Sequence, residues 1–412
     1  MSKVEAMLPQ LRFEIFGSEW EKTKLGQLVG IFRGLVYKPE NVVRDGNADS
    51  IRVLRSSNID EDVLVLREDD VFVQADAVNI ENVKQGDILI TAANGSSRLV
   101  GKHAVIKESL AKTVHGGFML IARTDFPYFI NAWMGAVEYQ KMLQLAQGGN
   151  GAIGNLSKKI LDNCEITLPK DIEEQTKIGE LFQKLDRAIE LQQQKVEQSE
   201  RYKKAMLQKM FPQKGEKVPR VRFAGFSGDW ESKKLKQLGV IVTGSTPTTN
   251  ETDNYDDGGL MWITPSDITS LITTKSAKRL SVKGQKKARI VPPNTLLITC
   301  IASIGKNTLV LEKSSFNQQI NALIPYEQYN AYFLLTHSYF WSEIMKNYAA
   351  AGMMQIVNKN DFSNLSFLFP EKEEQTAIGN FFQKLDQQIE QQAQKLATYQ
   401  QLKKAMLQRM FV

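Results

Sequence analysis

The chain has 412 residues, is 42% hydrophobic and carries a net charge of +6 with a pI near 9.0; this suits two or three domains with sizeable cores and excludes disordered or collagen-like classes. The mild basicity permits a polyanionic partner without requiring one. Two cysteines, Cys164 and Cys300, are too few for a disulfide framework or zinc site, and no apolar run reaches signal-peptide or membrane-span length, so a reducing cytoplasm is the expected compartment.

The first recognisable element is PQLRFEIFGSEWEKTKLGQL, starting at Pro9. Short apolar runs separated by turn formers follow, with a helix expected over 126–147. Gly149-Asn150-Gly151-Ala152-Ile153-Gly154 spells G-x-G-x-x-G, but a helix precedes it where a dinucleotide site needs a strand, so it reads as a loop. Gly95 to Gly101-Lys102-His103 misses a phosphate-binding loop by one residue of spacing, and His103 stands where Ser or Thr is required.

After Pro169 a long helix is expected. Asp171, Glu173 and Glu174 sit in its first turn, where acidic groups favour the dipole, and no proline interrupts it before Pro212. Ile178, Phe182, Leu185, Ile189, Gln192, Val196, Ser199, Lys203, Met206 and Met210 recur at steps of four and three, a heptad seam. The Gln and Lys positions interrupt the seam; polar residues there cost stability but set register.

The pattern then repeats. PRVRFAGFSGDWESKKLKQL starts at Pro219, and EEQTAIGNFFQKLDQQIEQQAQKLATYQQLKKAMLQRMF over 373–411 aligns without a gap with 173–211. Gln392 and Lys403 reproduce the seam interruptions. The intervening regions differ, with only faint echoes: Leu54-Arg55-Ser56-Ser57-Asn58-Ile59 against Ile263-Thr264-Pro265-Ser266-Asp267-Ile268, and Gly101-Lys102 against Gly305-Lys306. In the second region strands are expected at Val240-Ile241-Val242, Met261-Trp262-Ile263, Arg289-Ile290-Val291, 295–298, 308–311 and 320–324, with a helix over 330–347. The reading is therefore α+β: two mixed domains, 1–170 and 213–370, separated by a pair of long antiparallel coiled-coil helices, 171–212 and 371–412, in a pseudo-two-fold tandem repeat. Helices of about 40 residues are roughly 60 Å long.

The order TGSTPTTNETDNYDDGGLMWITPSDI, LLITCIASIGKNTLV, NQQINALIP, MMQIVNKNDFSNLSFLFP and EEQTAIGNFFQKLDQQI resembles the target-recognition domain and conserved region of type I restriction–modification specificity subunits. The first half follows the same order with FRGLVYKPEN in place of TGSTPTTNET and AANGSSRLVGK in place of CIASIGK. The resemblance implies a non-catalytic subunit that binds double-stranded DNA at an asymmetric bipartite sequence. It also implies two modification subunits carrying S-adenosylmethionine and methylating adenine, and restriction subunits using ATP and Mg, with no cofactor or metal on this chain and no membrane. Exposed apolar residues such as Leu181, Phe381, Leu207 and Leu407 are the expected docking surface for those partners.

Contacts to bases and phosphates are expected from polar or basic residues in turn-rich loops. In the first domain these are Arg33, Arg55, Asn58, Asn94, Ser97, Arg98, Lys102, Asn150 and Lys158. In the second they are Thr246, Thr248, Lys306, Gln318, Gln319, Gln355, Asn358 and Lys359; Gln318 and Gln319 precede an apolar strand and could hold the loop itself. Half-sites are expected one to two DNA turns apart. A protein-binding coiled-coil scaffold and a DNA-modifying enzyme with a cryptic site are the alternatives. Against the second, no Asn-Pro-Pro-Tyr-type motif occurs, and His103, His115 and His337 are scattered as core or surface histidines usually are.

Overall fold

A computed structural model describes residues 8–44, 49–146, 155–350 and 357–412. The chain forms two compact units: Met1–Gln193 with Gln394–Val412, and Gln194–Ala393. These bounds cut through both long helices, Ile172–Met210 and Lys372–Met410, whose 39 residues each match the expected spans. Each unit therefore holds the first part of one long helix and the last part of the other.

In unit 1 an antiparallel sheet orders its strands Gly30–Arg33, Met119–Arg123, Ile88–Thr91 and His103–Val105. A second sheet pairs Thr113–His115 in parallel with Ser50–Leu54, which runs antiparallel to Val71–Gln74. Unit 2 repeats both. Gly239–Thr243, Ile320–Pro325, Thr295–Thr299 and Asn307–Val310 form its antiparallel sheet, and Ser314–Phe316 lies parallel to Tyr255–Ile263 in its second. Ile88–Thr91 and Thr295–Thr299 are buried throughout, threonines included, because each lies between a sheet neighbour on either side. The helix expected over 126–147 is two helices, Pro127–Met134 and Val137–Ala146, broken at Gly135; the helix expected over 330–347 spans Ala331–Ala350.

Within each unit the helix segments run antiparallel. In unit 1 Phe182 meets Phe411 at 5.9 Å between ring centroids, and the Lys403 ammonium meets the Asp186 carboxylate at 2.8 Å. In unit 2 the same positions do the same: Phe211 lies 6.0 Å from Phe382, and Lys203 pairs with Asp386 at 2.5 Å. The lysines that interrupt the apolar seam are thus answered by the aspartates of the repeated FQKLD. The apolar residues expected to lie exposed on these helices do not: Leu207 and Leu407 are buried, and Leu181 and Phe381 are half-buried against the cores of their units. Burial disfavours the Lys403 ammonium, but Asp62 and Asp186 together outweigh it and its pKa is raised.

The acidic first turn has a second role that the dipole argument does not contain. Glu174 is fully buried and takes both oxygens to the Arg12 guanidinium at 2.7 Å. Glu374 and Arg222 repeat this fork at 2.7 Å. Next to each arginine the main chain caps the end of the opposing helix: Leu11 N donates to Arg409 O at 2.8 Å, and Val221 N to Lys209 O at 2.9 Å. The repeated P-x-x-R-F segment therefore fastens the start of one helix to the end of the other inside each unit.

Removing one member strands a buried charge. Arg12→Ala, or Arg222→Ala in unit 2, is expected to cost about 3–5 kcal/mol in urea unfolding, whereas Arg201→Ala, which breaks an exposed pair with Glu197, leaves the midpoint unchanged.

Candidate nucleic-acid interface

One end of each unit gathers its loops around the open ends of the sheets. In unit 1 a cleft of about 900 Å³ is lined by the loops after Gly30–Arg33, Ser50–Leu54 and Ile88–Thr91 and by Gly116 to Met119. The segment before the short helix Lys158–Asn163 joins the same cluster, since Ala93 bridges Asn155 and Leu156 N donates to Ala92 O at 2.8 Å.

Backbone hydrogen bonds place the two units in register. Gly116 N donates to Leu54 O as Asn317 N donates to Ile263 O; Leu35 N donates to His115 O as Ser245 N donates to Phe316 O. Gly34 and Gly244 are the matching close approaches, where a Cβ would lie about 2 Å from the carbonyl oxygen of Gly116 or Asn317. FRGLVYKPEN therefore aligns with the second unit through Gly34 and Gly244, one residue away from matching its first residue to the first of TGSTPTTNET. Gly101 and Gly305 also coincide, both with positive φ, followed by Lys102 and Lys306. Ser157 and Asn358 cap the matching helices, so Lys158 and Lys359 occupy equivalent first-turn positions.

The expected contact residues divide by environment. Arg55, Ser97, Arg98, Thr246, Thr248, Gln318, Asn358 and Lys359 are exposed on these loops, and Arg33 is exposed at the end of its strand. Asn358 uses its side chain to accept from Asp361 N at 2.9 Å. Lys158 pairs with Asp162 at 3.2 Å. Three hydrogen bonds tie loops together. Asn94 Nδ2 donates to Ser56 Oγ at 2.8 Å, Lys306 Nζ donates to Pro265 O at 3.0 Å, and the Thr246 hydroxyl donates to Gln318 Oε1. Gln319 is partly buried and accepts from Asn317 Nδ2 at 2.9 Å. Lys102 is partly buried and adds to the positive field at Asp62.

Asn58 is a correction: it does not face solvent. It is fully buried; its Oδ1 accepts from Arg55 N at 2.8 Å, and its Nδ2 donates to Val65 O at 2.9 Å and to Asp70 at 2.6 Å. Asp267 holds the equivalent turn by accepting from Thr264 N at 2.8 Å. The sequence echo between these segments is the signature of that turn. Asn150, Gln355 and the Gly149–Gly154 motif lie outside the described residues.

Sequence reasoning passed over Val36 and Phe118, which line the unit 1 cleft at 86% and 74% exposure. Their signal was large apolar residues beside glycines, Gly34 and Gly116-Gly117, in a stretch that breaks strand alternation.

Among the described residues no group of His, Cys, Asp and Glu is disposed to hold a metal, and no helix is long and apolar enough to cross a membrane. Both cysteines are buried, which pushes their thiols up to about 11. All three histidines are buried with protein partners. His103 Nδ1 lies 3.0 Å from Gly101 O, and His115 Nε2 lies 3.3 Å from Phe32 O. His337 Nδ1 accepts from the Trp341 indole at 2.9 Å, which leaves its Nε2 to donate to Leu368 O at 3.1 Å. Burial lowers the His337 pKa to about 4.

Two units with one frame and dissimilar loop tips define a duplicated α+β recognition module. A family model, the type I restriction modification DNA specificity domain, matches residues 17–201 and again 227–399, and the chain belongs to that family. Among curated relatives it is 28% identical over 149 residues to the type I restriction enzyme HindI specificity subunit of Haemophilus influenzae, covering 35% of this chain and 32% of that one. It is also 28% identical over 171 residues to the MjaIX specificity subunit of Methanocaldococcus jannaschii, covering 39% of each. The matched stretches thus span about a third of those relatives. The fold agrees over 98% of this chain and 99% of the other with a type I restriction–modification S subunit from M. genitalium, at TM-score 0.69 and 12% identity. A chain from a structure concerning assembly and conformational transition of the type I system gives TM-score 0.50 and 17% identity over 94% of this chain and 96% of that one.

Asn58→Asp sets a carboxylate against Val65 O and Asp70 and is expected to lower stability by about 2–4 kcal/mol in urea unfolding. For His337 the folded pKa lies below the unfolded one, so its contribution is complete above pH 6.5 and falls as the pH drops toward 4. The total is about 3 kcal/mol. His337→Gln is expected to flatten that part of the pH–stability curve.

Proposed function

We propose that this chain is the DNA-reading subunit of a type I restriction–modification complex and that each unit recognises one half of a split, asymmetric duplex sequence. The observation that carries the reading is the pair of equivalent loop clusters. Their frames superpose hydrogen bond by hydrogen bond, while their exposed side chains differ: Arg55, Ser97 and Arg98 in unit 1, Thr246, Thr248 and Gln318 in unit 2. Scaffold residues common to both units position; tip residues that differ specify. Lys158 and Lys359 sit at matching places and suit phosphate contacts, which supply affinity without sequence choice and weaken with salt.

Chemistry belongs to partners in this reading. Two modification subunits bring S-adenosylmethionine and methylate adenine; restriction subunits bring ATP and Mg and cleave. The chain itself is non-catalytic and works in the cytoplasm. Its two copies of the long helix suit two identical partners.

The test is a domain exchange read by genome-wide adenine-methylation mapping. Replacing residues 1–165 with those of a related subunit is expected to change one half-site and leave the other intact. A change in both halves, or in neither, refutes one-half-per-unit recognition.

A further inference from the structure

The two loop clusters differ in character at one pair of equivalent positions. In unit 2 these are Thr246 and Gln318, whose side chains hydrogen-bond to one another. In unit 1 the register puts Val36 and Gly117 there, and a Cβ on Gly117 would lie 3.1 Å from Val36 Cγ2. The polar pair is replaced by a methyl-bearing side chain packed over bare backbone. The following residue, Gln319 in unit 2, is Phe118 in unit 1. Its carbonyl is held by Ala92 N and Ala93 N at 2.9 and 3.1 Å, which fixes its backbone while its ring stays 74% exposed.

Val36 and Phe118 share the cleft with Arg55, Ser56 and Asn94. Large apolar side chains this exposed gain only when something covers them. The surrounding guanidinium, hydroxyl and amide favour an anionic, hydrogen-bonding occupant over an apolar protein face, and Gly116-Gly117 lets such an occupant approach the backbone closely. The major-groove edge of DNA presents one apolar group amid its donors and acceptors, the thymine C5-methyl.

We propose that unit 1 reads a thymine in its half-site by packing the C5-methyl against Val36 and Phe118, where unit 2 reads through polar side chains. This inference rests on the DNA-recognition reading given above.

The full chain, assembled with its modification subunits, is used to select from random duplex pools made either with thymine or with uracil in its place; the two bases differ only in that methyl. The thymine pool is expected to yield a split site with thymine at a fixed position in one half. Enrichment at that position should fall roughly fourfold in the uracil pool, the partition worth of one buried methyl group, with the other half unchanged. Val36→Ser combined with Phe118→Gln, both at exposed positions, should abolish the difference between pools at that half-site and leave the other half-site as it was. Equal enrichment from both pools, an equal uracil penalty in both halves, or a half-site altered by the double substitution but lacking thymine overturns the proposal. Recovery of no split sequence even from the thymine pool overturns the DNA-recognition reading itself, which separates the two failures.

Discussion

The arginine–glutamate fork at the root of each long helix is the constraint on which each unit depends. A carboxylate fully withdrawn from water is tolerable only with its charge matched and its lone pairs occupied. Arg12 supplies both for Glu174, and Arg222 for Glu374. The fork fixes where the segment before each domain lies, and that segment caps the terminal carbonyls of the opposing helix through Leu11 or Val221. With the helix ends held, Phe411 in unit 1 and Phe211 in unit 2 reach into the domain cores, against Trp20 and Trp230. Domain and helices therefore share one core in each unit.

A rigid root permits variable tips. The loop clusters sit at the ends of sheets whose central strands are apolar on both faces, so side-chain changes at the tips need not disturb the packing. The loops are also tied to one another, by Asn94 to Ser56 in unit 1 and by Lys306 to Pro265 in unit 2. Different residues perform the same tie. This is how the two units keep one backbone frame while presenting an apolar cleft in one and a hydrogen-bonded polar pair in the other.

Much of the architecture was legible in advance because it was written twice. Repetition exposed the helices, and short apolar runs between turn formers marked strands of the second domain, although the run at Met261-Trp262-Ile263 showed only the end of the strand Tyr255–Ile263. The break at Gly135 was not legible, because the apolar pattern continues across it; in the fold a Cβ there would lie 3.2 Å from Leu407 Cδ1 and from Ala132 O. Individual contact residues were legible only as loop residues. Asn58 looked like a base-reading amide from its type and turn context, yet three hydrogen bonds within its own turn and the loop after it consume its polar atoms. Val36 and Phe118 drew no notice in the sequence, and only the fold shows that Gly34 and Gly116-Gly117 bring backbone against backbone and leave those side chains outside.

By itself the sequence determined the duplication, the α+β class, the length of the helices and the family, since each of these depends on patterns local to the chain or on comparison of the chain with itself. The tertiary structure decided which charges are buried and paired, which loops converge, and which polar side chains remain available. Those properties depend on residues far apart in sequence, such as Arg12 with Glu174 or Arg222 with Glu374, whose polar atoms acquire partners only when folding removes them from water.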